Sequence, residues 1–381
     1  MTAATEHENT HQGKTGTVYV MNNQDTGNSV TVFNRAADGG LTRMGTFPTG
    51  GLGAGNSIVA LASADPLISQ GSLTISADHR FLFAVNAGSN EVSSLAIQGT
   101  TLVPVDRIPS GGTHPVSVTV HQHLLYVVNQ TDGTIAGFTI ANDGKLSPLA
   151  GSTQTLIGGP NAGPAQIQFT PDGTGLVVTE RANNVIDVFP VDQDGRASAP
   201  VNNPSNGAGP FGFTFVGEDV IIVSESIANA NSSYRVAGDG TIKVISGSVP
   251  ETEQTPCWVV TNSVTDPRYA YVTNSFSGTI SGYRIDSNRE LTLLSPDGHS
   301  AVLRDSRAPI DNAVSSDGQF LYVLTVGFNV ARAAAVTTCG KMGISAFRIE
   351  TDGSLTPLRG FGIADDDPDG LAPGTQGIVA I

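Results

Sequence analysis

Short apolar runs separated by tight turns recur along most of the chain. One clear unit, between residues 71 and 111, contains a strand "GSLTIS", a turn "ADHR" and three further strands, "FLFAVNAG", "EVSSLAI" and "TLVPVDRIPSG". Elsewhere the turns are short sequences such as "PDG", "SDG", "NDG" and "TDG". Turns of this kind connect antiparallel strands in hairpins. The pattern therefore predicts a chain of four-stranded antiparallel units with almost no helix.

The same four-strand unit repeats at regular intervals. Further copies begin near residues 116, 165, 211, 258 and 311. The residues that open the first strand of successive copies, about 45 to 53 positions apart, are Gln70, Pro115, Pro164, Pro210, Pro256 and Pro309. That spacing matches one four-stranded propeller blade, whereas a β-helix would have shorter repeats.

The two ends of the chain indicate how the repeat closes. The first copy, "GTVYVMNNQ" at residues 16–24, lacks an opening strand, and the last segment, "QGIVAI" at residues 376–381, is an opening strand with nothing after it. We expect the C-terminal strand to complete the N-terminal blade, because closing the ring removes exposed sheet edges. The predicted fold is therefore an all-β, seven-bladed β-propeller, a single domain over residues 16–381 after a disordered lead-in at residues 1–15.

Composition and charge narrow the choice of partner. Only 14% of residues are charged, and the formal net charge is −15. Binding to nucleic acid or to anionic membranes needs a basic face, so we expect neither partner. The start of the chain has no apolar or basic signal region, and no apolar run is long enough to span a membrane. These features predict a cytoplasmic protein.

The cysteines and the acidic loops do not predict a disulfide or a metal site. Cys257 and Cys339 are too few for a disulfide framework and lack metal-ligand spacing, which favours two thiols in a reducing compartment. The run "DDDPDG" places Asp365, Asp367 and Asp369 as in the start of a calcium loop, but the twelfth position lacks the acid that such a loop needs. We expect no metal and no cofactor, and we interpret this run as a charged surface turn, with calcium binding as the alternative.

Several of the repeated strands resemble those of a known family. The segments "AVNAGSNEVSSLAI", "LYVVNQTDGTIAGFTI" and "FTPDGTGLVVTERANNVIDVF", with the circular closure, resemble the lactonase-like seven-bladed propellers. That family includes propeller-type 6-phosphogluconolactonases and carboxymuconate-lactonizing enzymes. The resemblance implies a lactone hydrolase or a lactonizing cycloisomerase. It also implies a His before the "PDG" turn, an Arg in the next strand pair and a Glu in the following blade. Here those positions hold Ala165, Val185 (with Arg181 nearby) and Glu225.

Two glutamates at strand ends are the candidate catalytic acid and base. Glu180 and Glu225 are 45 residues apart (225 − 180 = 45), one repeat, so they are expected at the same end of adjacent blades. When the second strands of the blades are aligned, Thr179 and Ser224, the residues just before the two glutamates, take the position that a strand-end asparagine has in other blades. Neighbouring carboxylates can raise each other's pKa and form an acid/base pair. Arg181 could pair with either acid or bind a substrate carboxylate. The alternative is that both acids cap turns.

Four further residues are predicted to line the mouth of the central channel. Gln166, Trp258 and Asp311 lie near the start of opening strands, and His114 precedes one. An aromatic floor with a few hydrogen-bonding groups suits a small organic ligand. The alternative for Trp258 is packing between blades 5 and 6, and the alternative for His114 is packing within its loop.

The sequence therefore supports two hypotheses about function. The first is a lactonase-like enzyme, a monomer or homodimer, that hydrolyses or forms a small lactone or sugar-acid-like ligand with Glu225 and Glu180 as acid and base. The second is a non-catalytic propeller that binds a small ligand or another protein. Blades 1 and 7 contain long insertions at residues 50–70 and 326–342, and the blade 7 loop would then serve as a contact surface.

Overall fold

A computed structural model gives the fold, and it describes residues 14–55, 65–263, 267–329, 341–358 and 370–381. Within these ranges the chain forms seven antiparallel sheets, and each sheet is one blade of a ring. The two long loops lie partly outside the described residues. Cys339, Asp365, Asp367 and Asp369 lie outside them entirely, so the calcium alternative stays a prediction.

The first four blades contain sixteen of the main strands. Blade 1 contains β1 (Gly16–Met21), β2 (Ser29–Arg35) and β3 (Leu41–Pro48). Blade 2 contains β4 (Leu73–Ile75), β5 (Phe81–Asn86), β6 (Glu91–Gln98) and β7 (Thr101–Pro109). Blade 3 contains β8 (Pro115–His121), β9 (Leu124–Asn129), β10 (Thr134–Ile140), β11 (Leu146–Pro148) and a short β12 (Gln154–Thr155). After the 3-10 helix η1 (Gly159–Asn161), blade 4 contains β13 (Pro164–Phe169), β14 (Gly175–Glu180), β15 (Val185–Pro190) and β16 (Val201–Pro204).

The remaining blades follow the same order. Blade 5 contains β17 (Pro210–Val216), β18 (Val220–Glu225), β19 (Ala230–Val236) and β20 (Ile242–Pro250). Blade 6 contains β21 (Pro256–Thr261), β22 (Tyr269–Asn274), β23 (Thr279–Ile285), β24 (Leu291–Leu293) and a short β25 (Ala301–Val302), which precedes the 3-10 helix η2 (Arg304–Ser306). Blade 7 contains β26 (Arg307–Val314), β27 (Phe320–Asn329), β28 (Gly343–Ile349) and β29 (Leu355–Pro357). The last strand is β30 (Ile378–Ala380).

The ring closes through the C-terminal strand. β30 pairs antiparallel with β1, with Val18 opposite Ala380 and Val20 opposite Ile378. Beyond the ladder, the Thr17 N–H donates to the Ile381 carbonyl at 3.0 Å, and the Ile381 N–H donates back to the Thr17 carbonyl at 2.9 Å. The predicted seven-bladed ring, closed by the C-terminal strand, is therefore confirmed.

Burial differs sharply between the inner and the outer strands of each blade. Every residue of the second strands β5, β9, β14, β18 and β22 is buried, because each blade is packed between two neighbours. The outer strands β3 and β20 contain only exposed and partly buried positions. Burial of apolar surface contributes about 25 cal/mol per Å2, so the inner strands supply most of the stabilisation.

Tyrosine hydroxyls connect neighbouring blades by hydrogen bonds, at the face of the ring opposite the one that holds Glu180 and Glu225. The hydroxyls of Tyr126, Tyr271 and Tyr322, each in the second strand of its blade, donate to a glycine carbonyl in the Asp-Gly turn of the next blade, at 2.8–3.0 Å. The Asp-Gly turns predicted from the sequence thus connect hairpins and also accept inter-blade hydrogen bonds. Within the described residues, no helix is long and apolar enough to cross a membrane.

Candidate active site at the channel mouth

Strand pairing places the two glutamates at the ends of equivalent strands. Glu180 ends β14 opposite Pro164, and Glu225 ends β18 opposite Pro210. In blades 3 and 6 the position opposite the opening proline is an asparagine, Asn129 or Asn274. The glutamates therefore replace the asparagines themselves. The sequence alignment, which put Thr179 and Ser224 there, was one residue out, because apolar run length does not fix the strand register.

A polar side chain seven residues later faces this strand-end position in most blades. Asn86 donates to Ser93 at 2.7 Å, and Asn274 donates to Ser281 at 2.8 Å. In blade 1 the hairpin is longer, and the equivalent contact joins Asn22 to Thr31, nine residues later, at 3.0 Å. In blade 5, Ser232 donates to Glu225 at 2.5 Å. The seven-residue spacing is shared by blades 2, 4, 5 and 6 because their second and third strands form tight antiparallel hairpins of the same length. Blade 4 differs, since the residue seven positions after Glu180 is an acid, Asp187.

Glu225 is fully buried and surrounded by hydrogen-bond donors. Its Oε1 accepts from the Gly207 N–H at 2.9 Å, from Ser232 and from the Tyr234 hydroxyl at 3.3 Å, while its Oε2 accepts from Ser248 at 2.7 Å. A carboxylate offers about four acceptor sites, so this one is close to saturated. It ties the loop before blade 5 to the third and outer strands of that blade.

Glu180 is also fully buried, but its main neighbour is another acid. Both of its carboxylate oxygens accept from the Gly158 N–H, at 3.1 and 3.0 Å, and Oε2 accepts from Asn183 at 2.7 Å. Asp187, equally buried, accepts from the Ile157 N–H at 3.0 Å. Burial, together with the adjacent Glu180 carboxyl, raises the pKa of Asp187 to about 8.

Glycines at 158 and 207 allow the backbone to approach the two glutamates closely. A Cβ at position 158 would lie 2.6 Å from Glu180 Oε2, and a Cβ at position 207 would overlap the Glu225 carboxylate. Each glutamate is thus held by the loop that leads into its blade from the previous one, at the same end of the ring. Among the hydrogen bonds of the described residues, none joins Glu180 to Glu225, and the acidic neighbour of Glu180 is Asp187.

A segment of blade 1's long connection fills the mouth of the channel. We call residues 65–71 the mouth segment. The Gln70 N–H donates to the Ala165 carbonyl of blade 4 at 2.9 Å, and the Gln70 side chain exchanges two hydrogen bonds with the backbone of Val259 in blade 6. The Ser69 hydroxyl donates to the Val116 carbonyl of blade 3 at 2.8 Å. Bonds to blades on different sides of the ring place this segment on its axis.

Trp258 and His114 both contact the mouth segment. The Trp258 Nε1 donates to the Ser69 carbonyl at 2.8 Å, and its fully buried ring packs edge-on against Phe211 of blade 5, with centroids 5.3 Å apart. The His114 ring donates to the Pro66 carbonyl, and burial lowers the pKa of His114. The structure therefore brings these two predicted residues to the same segment from opposite sides.

Gln166 and Asp311 connect inner strands to each other. The Gln166 amide donates to the Phe213 carbonyl at 2.9 Å and accepts from the Phe213 N–H at 2.7 Å, which links blades 4 and 5. Asp311 accepts from the Gly377 N–H at 3.0 Å and so holds the closing strand to blade 7. Burial raises the pKa of Asp311 well above its usual range.

The structure adds Asp65, which the sequence did not single out. Its Oδ1 accepts from the Ile68 N–H at 2.8 Å, and the Gln376 side chain also hydrogen-bonds to it. Burial raises the pKa of Asp65 to about 7, although the positive charge of nearby Arg181 acts in the opposite direction. The Arg181 Nε is buried and has no hydrogen-bond partner among the described residues. No repeat pattern could have identified Asp65, because it lies in an insertion.

Cys257 is a free, buried thiol in the same region. Burial is the main cause that raises the pKa of Cys257. The charge of Asp65 raises it further, and the charge of Arg181 lowers it. The thiol is therefore held in its neutral form, which is a poor nucleophile. This residue contributes to packing beside the mouth.

Comparison with known proteins agrees with this architecture. The family model "Lactonase, 7-bladed beta-propeller" matches residues 7–155 and 152–261, which together make up about two thirds of the chain. A curated 6-phosphogluconolactonase from Cronobacter sakazakii is 26% identical over 242 residues, 60% of this chain and 70% of that protein.

Two solved structures show the same fold over nearly the whole chain. A protein from Lactobacillus plantarum superposes with a TM-score of 0.71 at 17% identity, covering 95% of this chain and 98% of its own. A periplasmic gluconolactonase from Pseudomonas aeruginosa superposes with a TM-score of 0.70 at 15% identity, covering 96% of this chain and 98% of its own. The fold, the strand closure and the family match lead to one conclusion: the chain belongs to the lactonase family of seven-bladed β-propellers.

Proposed function

We propose that this protein hydrolyses a small sugar-acid lactone at the mouth of its channel. The observation that carries the proposal is the pair formed by Asp65 and Arg181: a carboxyl whose pKa is raised to about 7, close to a guanidinium whose buried Nε has no partner among the described residues. A general base works best when its pKa is near the operating pH. The curated relative is named a 6-phosphogluconolactonase, which supports an anionic sugar lactone as the substrate class.

The proposed reaction uses each group for one task. Ionised Asp65 takes a proton from water, and the resulting hydroxide adds to the lactone carbonyl carbon. The ring C–O bond then breaks, and the proton passes to the ring oxygen to give a hydroxy acid. Arg181 binds the anionic group of the substrate or the developing oxyanion through charge-assisted hydrogen bonds. Trp258 and His114 support this arrangement by holding the mouth segment that carries Asp65.

The residues predicted from sequence retain a place in this proposal. Glu225 and Glu180 are the alternative acid and base, and both are fully buried, so substrate would reach them only after the loops that carry Gly207 and Gly158 move. Gln166 and Asp311 act in the proposal by fixing the inner strands around the mouth. A lactonizing cycloisomerisation, in which a carboxylate oxygen adds to a carbon–carbon double bond and a proton is transferred to carbon, would need an acid or base of the same kind. We propose hydrolysis because the curated relative is named a 6-phosphogluconolactonase, and a lactonase hydrolyses a lactone.

A lactone panel with proton release as the readout tests the proposal. The panel contains 6-phosphogluconolactone, gluconolactone and an uncharged lactone. We expect turnover of the anionic lactone and a loss of about 100-fold or more in kcat for Asp65→Asn, since a general base contributes on that scale. Asp143→Asn, an exposed turn residue, is the matched control and should leave activity unchanged. If Asp65→Asn keeps its activity and Glu225→Gln loses it, Glu225 is the base.

The pH dependence of the same reaction provides a second check. Asp65 must be ionised to act as a base, so kcat/KM should fall about tenfold per pH unit below its pKa of about 7 and level off between about pH 7 and about pH 8. A profile that stays flat down to pH values near the usual range of aspartate would exclude Asp65 as the base.

A binding platform without catalysis is the second candidate function. The observation that favours it is the filled mouth, since the mouth segment already occupies the channel axis and bonds to several blades. In this case the folded protein would turn over no lactone. Calorimetry would still detect binding of a sugar acid such as gluconate, and Arg181→Ala would abolish that binding.

A further inference from the structure

Two successive peptide N–H groups hold two acids in blade 4. The Ile157 N–H donates to Asp187 Oδ2 at 3.0 Å, and the next N–H, that of Gly158, donates to both oxygens of Glu180. Both carboxyls are fully buried. Asp187 Oδ1 has no hydrogen-bond partner within the described part of the chain. A proton placed on this oxygen would give it a partner, because it could then donate to Glu180.

Among the described residues, no cation acts on Asp187 to balance a double negative charge at this place. The segment that covers the two acids, residues 156–163, which we call the blade 4 loop, contains no titratable side chain, and neither β13 nor β16 contains one. On the blade 3 side, Gly133 packs against this loop, and the adjacent Asp132 is bonded to the Thr113 N–H. Arg181 is the nearest cation in sequence, and its charge acts on Asp65 and Cys257. Two buried carboxyls that touch cannot both ionise readily, so they share a proton.

The blade 4 loop also carries the backbone of Arg181. The Arg181 N–H donates to the Gly163 carbonyl at 3.3 Å, and the Ala182 N–H donates to the Ala162 carbonyl at 3.1 Å. One end of the loop is therefore fixed by the two acids, and its other end is bonded to the peptide that positions Arg181.

We propose that Asp187 is a positioning residue that shares a proton with Glu180, and that this pair holds the blade 4 loop and so places Arg181 at the channel mouth. The proposal rests on the function proposed above only for the role of Arg181 in binding substrate. The contact by which Asp187 and Glu180 hold the blade 4 loop, which we call the latch, is a property of the fold. When the shared proton is lost, the two carboxylates repel each other, the N–H groups of Ile157 and Gly158 no longer hold both, and the loop opens. The raised pKa of Asp187, about 8, sets the range in which this occurs.

Hydrogen–deuterium exchange of the blade 4 loop tests the latch without any substrate. After correction for intrinsic exchange rates, we expect protection of residues 156–163 to fall roughly tenfold between about pH 7 and about pH 9.5, since each pH unit above a pKa favours the ionised form tenfold. The loop before blade 5, residues 205–209, is the internal control, because Glu225 there faces Ser232 and shares no proton with an acid. Equal protection of the blade 4 loop at both pH values would overturn the proposal.

Two isosteric variants separate titration from packing. Asp187→Asn keeps an acceptor for the Ile157 N–H and gains an N–H that donates to Glu180, so we expect its loop to stay protected at about pH 9.5. Glu180→Gln should behave in the same way, and it is the second variant if the first does not fold. A variant that loses protection in parallel with the native protein would rule out the shared proton.

Kinetics supply a further readout if the panel identifies a lactone. Native KM should rise above about pH 8 while kcat changes little, because a displaced Arg181 weakens binding more than chemistry. Asp187→Asn should remove that rise in KM. If no lactone is turned over, the proposed function fails and the exchange experiment still decides the latch. If turnover is found but the exchange is independent of pH, the latch fails and the function stands.

Discussion

Blades 4 and 5 place a glutamate at the same strand position and surround it differently. In blade 5, Glu225 faces Ser232 and accepts hydrogen bonds from four donors. In blade 4, Glu180 faces Asp187, and the pKa of Asp187 is raised to about 8. The difference is one residue seven positions along the hairpin. With Ser232 at that position, the glutamate is nearly saturated with hydrogen-bond donors. With Asp187 there, it is one member of a pair of acids.

The residue at the strand-end position has first a structural role, which is to form hydrogen bonds with the next strand. It gains a titrating neighbour only where a second acid lies beside it. In blades 2 and 6, an asparagine there bonds to a serine seven residues later. Glu225 with Ser232 follows that pattern with a carboxyl group, whereas Glu180 faces the acid Asp187. Blade 3 differs in another way, because the residue seven positions after Asn129 is Ala136 and Asn129 bonds to Ser110. A proton that can be lost near neutral pH is therefore built into blade 4 and has no counterpart in blade 5.

The largest effect is expected when the blade 5 glutamate is removed. Glu225→Ala leaves Gly207, Ser232, Tyr234 and Ser248 without a common acceptor in a buried place, and unsatisfied buried groups cost about 1–3 kcal/mol each before relaxation. We expect the free energy of unfolding to fall by about 4 kcal/mol, measured by urea denaturation at pH 7. Glu225→Gln keeps one acceptor oxygen for Gly207, Ser232 and Tyr234, and its NH2 group can donate to the Ser248 hydroxyl, so it should cost less than half as much. Equal costs for the two variants would contradict the saturated-acceptor description.

Converting blade 5 into blade 4 is the next test. In Ser232→Asp the new carboxyl lies beside Glu225 and can still accept the Ser248 N–H that Ser232 now accepts at 2.7 Å. The buried pair should then share a proton, so stability should fall as pH rises, by about 3 kcal/mol at pH 9 for a shift of roughly two pKa units. Ser232→Asn is the neutral control of similar size. If both variants lose the same stability at every pH, packing alone is responsible.

The fold could be predicted because its signals repeat. The spacing of the opening residues from Gln70 to Pro309 and the unpaired strands at both ends of the chain predict the seven blades and their closure, and strand pairing confirms them. Repetition makes such a prediction robust, since an error in one copy is corrected by the others. The role of an individual side chain has no such redundancy.

The candidate site could be predicted only in part. Glu180 and Glu225 were found because they end strands, but Asp187 lies within "NVIDVF", where an acid is expected to alternate outward to solvent. Its inward contact with Glu180 depends on the one-residue register that the sequence left open. The serine seven residues after the strand-end position in other blades was the signal that could have identified it. Asp65 lies in an insertion with no repeat to compare, so its place at the mouth depends on tertiary packing alone.

Removing the titrating acid from blade 4 should flatten the pH dependence of stability. The pKa of Asp187 is about 8 when folded and near the usual aspartate value when unfolded, so the folded state binds the extra proton between those values. Its stabilising contribution is present at low pH and is lost as pH rises through about 8. We expect native stability to fall by about 2 kcal/mol between pH 6 and pH 8 from this group, and Asp187→Asn to abolish that fall. Urea denaturation at a series of pH values measures both, and a slope that persists in the variant would assign it to other groups such as Glu251, whose pKa burial also raises to about 7.

The smallest effect is expected at the neutral member of the series, in blade 2. Ser93 accepts a hydrogen bond from Asn86 at 2.7 Å and donates to the Thr49 carbonyl at 2.9 Å, and no charge is involved. Ser93→Ala should therefore cost about 1 kcal/mol, the usual net value of a hydrogen bond, with no dependence on pH between about 6 and 9. Ser281→Ala in blade 6 removes the equivalent contact with Asn274 and should give a similar value. If either neutral pair showed the pH dependence expected of blade 4, that dependence could not come from the second acid, and the contrast between blades 4 and 5 would lose its chemical basis.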